Sequence, residues 1–358
     1  MTEFDVAVIG TGPEPDNPVW GESAAMAYRH GKAYRRLDTS QIVACADIVR
    51  ENAEAFADEF DVSNWNVFED YEEMLHTVEP DVVSVCTPVP THADIVVDVI
   101  ETGIPGAIHC EKPMADTWSD SLRMFEVAEE YDVQLTFNHQ RRFGPPWRRA
   151  KELLDAGTVG DLKRVEMGRK NLFDYGTHLI DLCHYFNDER SAEWVLSQVH
   201  YTEEDVRYGT HNENQAVAIW EYDNGVKGFA ATGKDIGSQF VPCENRVVGD
   251  EGVIEVHPDE ADADLRYRGP NTDGWVEENF EVEETLITLT IEHVLQAYAN
   301  GEDPEIDATA ALRATELIFA AWESARQRER IELPIDIDGN ALKEMVESGK
   351  LTPESDEK

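Results

Sequence analysis

The chain has 358 residues, more than one hydrophobic core usually holds, so two domains are expected. Its 74 acidic residues against 30 basic ones leave a net charge of -44, which excludes a nucleic-acid partner, since that needs a basic footprint. No apolar run reaches the ~18 residues of a membrane span, and no basic leader opens the chain, so a cytoplasmic protein is expected.

The first half alternates strand and helix signals. Val6 to Gly10 reads as a buried strand, Ser23 to Leu37 as a helix, and Ile42 to Ala46 as a second strand ending at Asp47. Helices are expected over Arg50–Glu59 and Glu72–His76, then a strand over Asp81–Cys86. A helix over His92–Thr102, a strand over Ala107–Cys110, a helix over Ser119–Tyr131 and a strand over Gln134–Asn138 follow. Repeated β-α units predict a doubly wound parallel sheet with right-handed crossovers, a Rossmann domain over 1–143.

The pattern changes after about residue 144. A helix over Trp147–Ala156, a strand over Leu162–Met167 and a helix over Thr177–Phe186 lead into strands. Asn214–Tyr222 and Val226–Thr232 flank Asp223-Asn224-Gly225, a hairpin signal. Further strands are expected near 243–249 and 252–257, and helices over Leu286–Ala299 and Ala308–Arg328. This predicts an α+β domain over 144–334 with an open-faced, mostly antiparallel sheet, then an acidic tail over 335–358. An uncovered sheet face wants a partner, so a homodimer or homotetramer is expected.

Val6 to Gly12 is a strand running into Gly10-Thr11-Gly12, glycines that let a backbone approach a pyrophosphate. Asp47 stands 35 residues past Gly12; with the 11 residues from Pro13 to Ser23 set aside the spacing is 24, near the ~20 of a ribose-binding acid. A carboxylate there favours NAD, with NADP open because Arg50 follows three residues on. His109-Cys110-Glu111-Lys112-Pro113 ends a buried strand on a cation, where ligands of an open α/β sheet bind. Lys112 is therefore a candidate catalytic cation and Glu111 a candidate cofactor contact.

Five cysteines, at 45, 86, 110, 183 and 243, form no Cys-x-x-Cys pair, so reduced thiols and no metal site are expected. The acids are spread along the whole chain. Their repulsion opposes compaction unless salt shortens its reach to ~3 Å near 1 M. A salt-accumulating halophile is the expected source.

With Gly10–Gly12, Cys86-Thr87-Pro88, Thr91-His92, Glu111-Lys112-Pro113, Arg142-Phe143 and Asp174 to Asp181 in this order, the chain resembles the Gfo/Idh/MocA family of sugar and polyol oxidoreductases. The resemblance runs from Val6 to about Pro334. It implies NAD(P)-dependent hydride transfer at a hydroxyl or carbonyl of a sugar, polyol or derivative. It implies that Lys112 bonds the reacting oxygen, that His178 is the general acid/base, and that Asp174 binds substrate. It places Thr87, Pro88 and His92 with the cofactor. The chemistry of the residues agrees: an imidazole titrates near working pH and a cation stabilises developing alkoxide charge. Relatives that use such a site for NAD-assisted glycoside hydrolysis, and a non-catalytic nucleotide-binding sensor, are the alternatives. One departure stands out: only Met167 to Phe173 separate the strand from the Asp-x-x-x-His motif, and Arg169-Lys170 within them hint at an anionic substrate.

Overall fold

The computed structural model describes residues 3–13, 15, 26–234 and 237–353. Of the segment 13–23 only Pro13 and Pro15 are among these; Ser23, the expected helix start, and residues 354–358 lie outside the described residues.

The first half of the chain runs β1 (Phe4–Ile9), α1 (Met26–Arg36), β2 (Ser40–Ala46), α2 (Arg50–Phe60), β3 (Val67–Phe68), α3 (Tyr71–Val78), β4 (Val82–Val85), α4 (His92–Glu101), β5 (Ala107–Cys110), α5 (Trp118–Tyr131) and β6 (Gln134–Phe137). Then come α6 (Pro145–Asp155), β7 (Leu162–Met167), α7 (Gly176–Phe186), β8 (Ala192–His200), β9 (Val206–Arg207), β10 (Thr210–His211), β11 (Gln215–Tyr222), β12 (Lys227–Ala231), α8 (Gly237–Phe240), β13 (Asn245–Gly249), β14 (Val253–Val256), β15 (Leu265–Arg268), β16 (Val276–Glu278), α9 (Leu286–Asn300), α10 (Ala308–Gln327), β17 (Ile331–Glu332) and α11 (Ala341–Glu347).

Two compact units result: 1–116, 120–140 and 284–312 form one; 117–119, 141–283 and 313–358 form the other. A single cut after residue 143 therefore misses α9. That helix buries Ile287, Ile291 and Leu295, spaced four apart, against Phe4, Val6, Ala33 and Tyr34 of the first unit. The expected acidic tail over 335–358 also needs correction, because it contains α11, with Ala341, Leu342 and Met345 buried and Asn340 capping Lys343 N–H.

In the first unit six strands pair in parallel, in the order β3-β2-β1-β4-β5-β6. The central strands carry apolar residues on both faces, as a doubly covered parallel sheet requires. The order reverses between β1 and β4, so the loops after these two strands flank the switch point where α/β sheets bind ligands.

The second unit holds a nine-stranded sheet, β16-β15-β14-β13-β7-β12-β11-β8-β17, antiparallel at each pairing except β12 with β7. The β11–β12 turn closes with Gly225 at φ +81° and Tyr222 N–H donating to Val226 O, the three-residue loop that Asn-Gly signals. The sequence reading missed β8. Its inward positions are Val195, Ser197 and Val199, and its outward ones include Trp194 and Leu196, so the apolar-polar alternation is blurred. α7 is buried on nearly every side. Asn245 Nδ2 of β13 donates to Leu179 O of that helix at 3.0 Å.

Candidate active site

In the first unit the site is built where strands β1, β2, β4 and β5 end. Gly10 has φ +81°, and a Cβ there would lie 2.4 Å from Thr87 Cγ2 and 3.0 Å from Thr87 N. Only glycine permits that approach of the two switch-point loops. Thr87 Oγ1 is buried and has no hydrogen-bond partner among the described residues. Pro88 is exposed, and its carbonyl accepts from Thr91 N–H and Thr91 Oγ1, which closes the turn into α4.

Asp47 shapes the glycine turn. Its Oδ2 accepts from Gly12 N–H at 2.8 Å and Thr11 Oγ1 at 3.2 Å. Its Oδ1 accepts from Val49 N–H at 2.9 Å and Asn52 Nδ2 at 3.4 Å. A carboxylate has about four lone-pair sites, so a further hydroxyl must displace one of the two longer bonds. Arg50, the residue that left NADP open, bonds Glu54 through Nε at 2.9 Å on the exposed face of α2.

His92 is fully buried, so it acts by holding loops together. Its Nε2 lies 2.8 Å from Thr87 O, and its Nδ1 lies 3.1 Å from Pro113 O and 3.3 Å from Met114 O. Burial lowers its pKa, against the pull of these carbonyls. One side chain thus ties the turn after β4 to the turn after β5. That second turn carries Lys112, half-buried, joined to Pro113 by a cis peptide.

Glu111 is 5% exposed and faces inward. Its Oε1 lies 2.8 Å from His30 Nε2 and accepts from Asn138 Nδ2 at 2.7 Å; its Oε2 accepts from Lys112 N–H at 3.3 Å. Burial alone would raise its pKa, but His30, Lys112 and Asn138 override that and hold it down at about 2. For His30, burial opposes protonation, but Cys86 and Glu111 outweigh it and push the ring up to about 10. One contribution is common to both directions: a carboxylate and an imidazole 2.8 Å apart away from water stabilise each other's charge.

The sequence reading did not find His30 or Asn138. A helix-spacing signal existed for His30, which shares the buried face of α1 with Ala27, Ala33 and Tyr34. Its partner is 81 residues away and invisible to periodicity.

In the second unit Asp174 sits in the turn before α7 and His178 in the helix's first turn. Asp174 is half-buried and His178 is 6% exposed. The turn is pinned at several points: Asn212 Oδ1 accepts from Asp174 N–H at 3.0 Å, and Asn171 Oδ1 from Tyr175 N–H at 2.8 Å. A Cβ on Gly176 would meet Asn171 O at 2.2 Å, so the tight turn requires glycine there. Behind it, buried Glu213 accepts from Leu172 N–H at 2.5 Å and Trp322 Nε1 at 3.0 Å. Burial pushes the Glu213 carboxyl up to about 7 despite these donors.

The shortened segment splits its two cations between different roles. Arg169 pairs with Asp259 and donates to His257 O, so this cation belongs to the framework and the hint of an anionic substrate loses half its basis. Lys170 is exposed, with its ammonium 5.4 Å from the Tyr175 ring. On the same ring Arg141 stacks at 4.4 Å, and Glu244 ties Arg141 to the Tyr175 hydroxyl. Asp181, one turn past His178, takes the guanidinium of Arg142 on both oxygens at 2.7 Å. Glu189 links Arg142 onward to Arg313. The buried Arg142–Asp181 pair anchors α7 to the segment at 141–143.

Among the described residues no cluster of three or more His, Cys, Asp or Glu side chains is spaced to hold a metal ion. All five cysteines are free thiols.

Residues 4–139 match the model of an oxidoreductase family, NAD-binding Rossmann fold, and residues 163–333 match the same family's C-terminal alpha/beta domain. A D-apiose dehydrogenase of Paraburkholderia graminis is 22% identical over 338 residues, 85% of this chain and 86% of that one. The scyllo-inositol 2-dehydrogenase (NAD(+)) of Bacillus subtilis is 24% identical over 346 residues, 87% of this chain and 94% of that one. Among solved structures, an oxidoreductase from Agrobacterium radiobacter in complex with NAD+, L-tartaric acid and magnesium superposes with a TM-score of 0.74 at 18% identity, covering 92% of this chain and 98% of that one. That likeness speaks to the fold.

Proposed function

Because the chain belongs to the Gfo/Idh/MocA oxidoreductase family, with an NAD-binding domain, we propose that it transfers a hydride between NAD and a hydroxyl or carbonyl of a sugar, polyol or sugar derivative. The carrying observation is the pair of turns at the switch point, where Gly10 packs on Thr87 and His92 ties that loop to the Lys112 turn. NAD fits these residues: glycine leaves a cradle that a Cβ would fill, and Thr87 Oγ1 has an unmet hydrogen bond.

Gly10, Gly12, Thr87 and Pro88 receive the pyrophosphate end, and Asp47 takes a ribose hydroxyl in place of Thr11 or Asn52. His92 shapes this wall from behind. Glu111 supports the ribose side through Oε2. When bound, NAD supplies a two-electron hydride acceptor. The rest is the work of the side chains: Lys112 donates a hydrogen bond to the reacting oxygen, His178 takes or returns its proton, and Asp174 binds a substrate hydroxyl.

The test is a screen in molar salt over pentoses, hexoses, inositols and sugar acids with NAD and NADP. NADH absorbance rising with a polyol or sugar supports the proposal. Sugar release from glycosides with no net NADH would replace it with hydrolysis.

The same reading includes an intracellular, cytoplasmic home in a halophile, in line with the -44 charge. No helix among the described residues is long and apolar enough to cross a membrane. It includes a homodimer or homotetramer built on the outer face of the second unit's sheet. There Leu196, Ile219 and Phe229 are register neighbours across β8, β11 and β12, and Leu196 and Ile219 are 44% and 40% exposed. The first unit, which includes 284–312, would serve the dinucleotide, and the second the substrate and assembly.

A further inference from the structure

Behind the Lys112 turn lies a polar cluster that the proposed chemistry does not use. His30 of α1 is fully buried, and so are Ser84 of β4, His109 of β5 and Asn138 just past β6. His30 Nδ1 lies 2.8 Å from Ser84 Oγ, and its Nε2 lies 2.8 Å from Glu111 Oε1 and 3.4 Å from Asn138 Nδ2. The His109 ring stacks on His30 at 5.2 Å, and His109 Nδ1 meets Thr136 Oγ1 at 2.9 Å. The charged and titratable groups facing His30 are Glu111, Cys86 and His109.

A carboxylate this deep is strongly disfavoured unless it is paired and hydrogen-bonded. Glu111 meets both conditions, and its other oxygen holds the N–H of the neighbouring residue, Lys112. A turn of the Glu111–Lys112 peptide would therefore break its bond to a carboxylate that His30 and Asn138 hold in place.

We propose that His30 is a positioning residue for Lys112: through Glu111 it fixes the peptide from which the Lys112 side chain projects, and it locks that strand end to α1. This rests on the hydride-transfer reading. His30 touches no substrate and transfers no proton. Its effect is to keep the ammonium in one place, and looseness of about 1 Å at such a group costs on the order of 100-fold in rate.

The experiment uses the full chain in molar salt, with the substrate that gives the highest wild-type turnover. In His30→Gln, kcat should fall about 10- to 100-fold while the dissociation constant of NADH, read by fluorescence, stays within about threefold. Placed on a Lys112→Ala background, His30→Gln should lower the residual rate by less than about twofold, because the group it positions is gone. A kcat within about twofold of wild type overturns the proposal. So does an equal loss on both backgrounds, which is what a purely structural residue produces.

If His30→Gln does not fold, wild-type protein labelled with 15N at histidine decides. An Nε2–H of His30 hydrogen-bonded to Glu111 from about pH 6 to 8.5 supports the proposal, and an Nε2 that carries no proton overturns it. Wild type that reduces NAD with no sugar or polyol fails the enzymatic reading and takes this proposal with it. Turnover in wild type with an unchanged variant fails this proposal alone.

Discussion

Asp47 shows how one carboxylate can serve two ends. It closes the Gly10–Gly12 turn through Gly12 N–H and, in the proposed function, would take a ribose hydroxyl in place of one of its weaker bonds to Thr11 and Asn52. Asp47→Ala should raise the KM for NAD about tenfold or more and narrow its preference over NADP, measured as the ratio of kcat/KM for the two cofactors. Lys112→Met should lower kcat about 100- to 1000-fold, the scale of losing one donor at a developing alkoxide, with little change in NADH binding. Glu213 offers a residue-scale pH test. Its native pKa, about 7, lies above the ordinary 4.5, so the native state binds more protons than the unfolded one between these values. Stability is therefore lost as pH rises from 4.5 through 7. Denaturant midpoints across this range should slope downward, and the slope should shrink in Glu213→Gln.

At the scale of elements, α9 joins the first unit by a stripe that any helix-period reading reveals, but nothing in the stripe names its partner. Ile291 is fully buried at the stripe's centre. Ile291→Ala should cost about 2–5 kcal/mol in urea unfolding, the range for truncating a buried aliphatic side chain. The second unit's sheet divides its outer surface between two chemistries. Across β7, β13, β14 and β15 runs a ladder of Glu166, Arg246, Glu255 and Arg266, with Arg246 Nη1 2.9 Å from Glu166, Arg246 Nε 2.8 Å from Glu255, and Arg266 Nε 2.6 Å from Glu255. Across β8, β11 and β12 the same surface is apolar at Leu196, Ile219 and Phe229. Ile219→Asp should lower the mass measured by light scattering in molar salt toward that of one chain, and an unchanged mass would place the assembly elsewhere.

For the molecule as a whole, charge dominates. With a net charge of -44, repulsion within the compact state is unscreened in dilute buffer and reaches only ~3 Å near 1 M salt. The thermal midpoint should rise steeply with KCl, and circular dichroism in low salt should show loss of structure; full folding in dilute buffer would remove the halophilic reading. Composition and local pattern determined that charge. They also determined the β-α alternation, the glycine turn, Asp47 at the end of β2, and Lys112 at the end of β5, because each is written in a short window with a period of its own. Tertiary structure decided what those windows cannot contain. Glu111 turned inward to His30 across 81 residues, Arg142 took Asp181 across 39, Asn212 took the Asp174 turn across 38, and 284–312 joined the first unit. Such pairings depend on which elements become neighbours, and that is settled by burial of distant apolar faces against one another rather than by the spacing of residues along the chain.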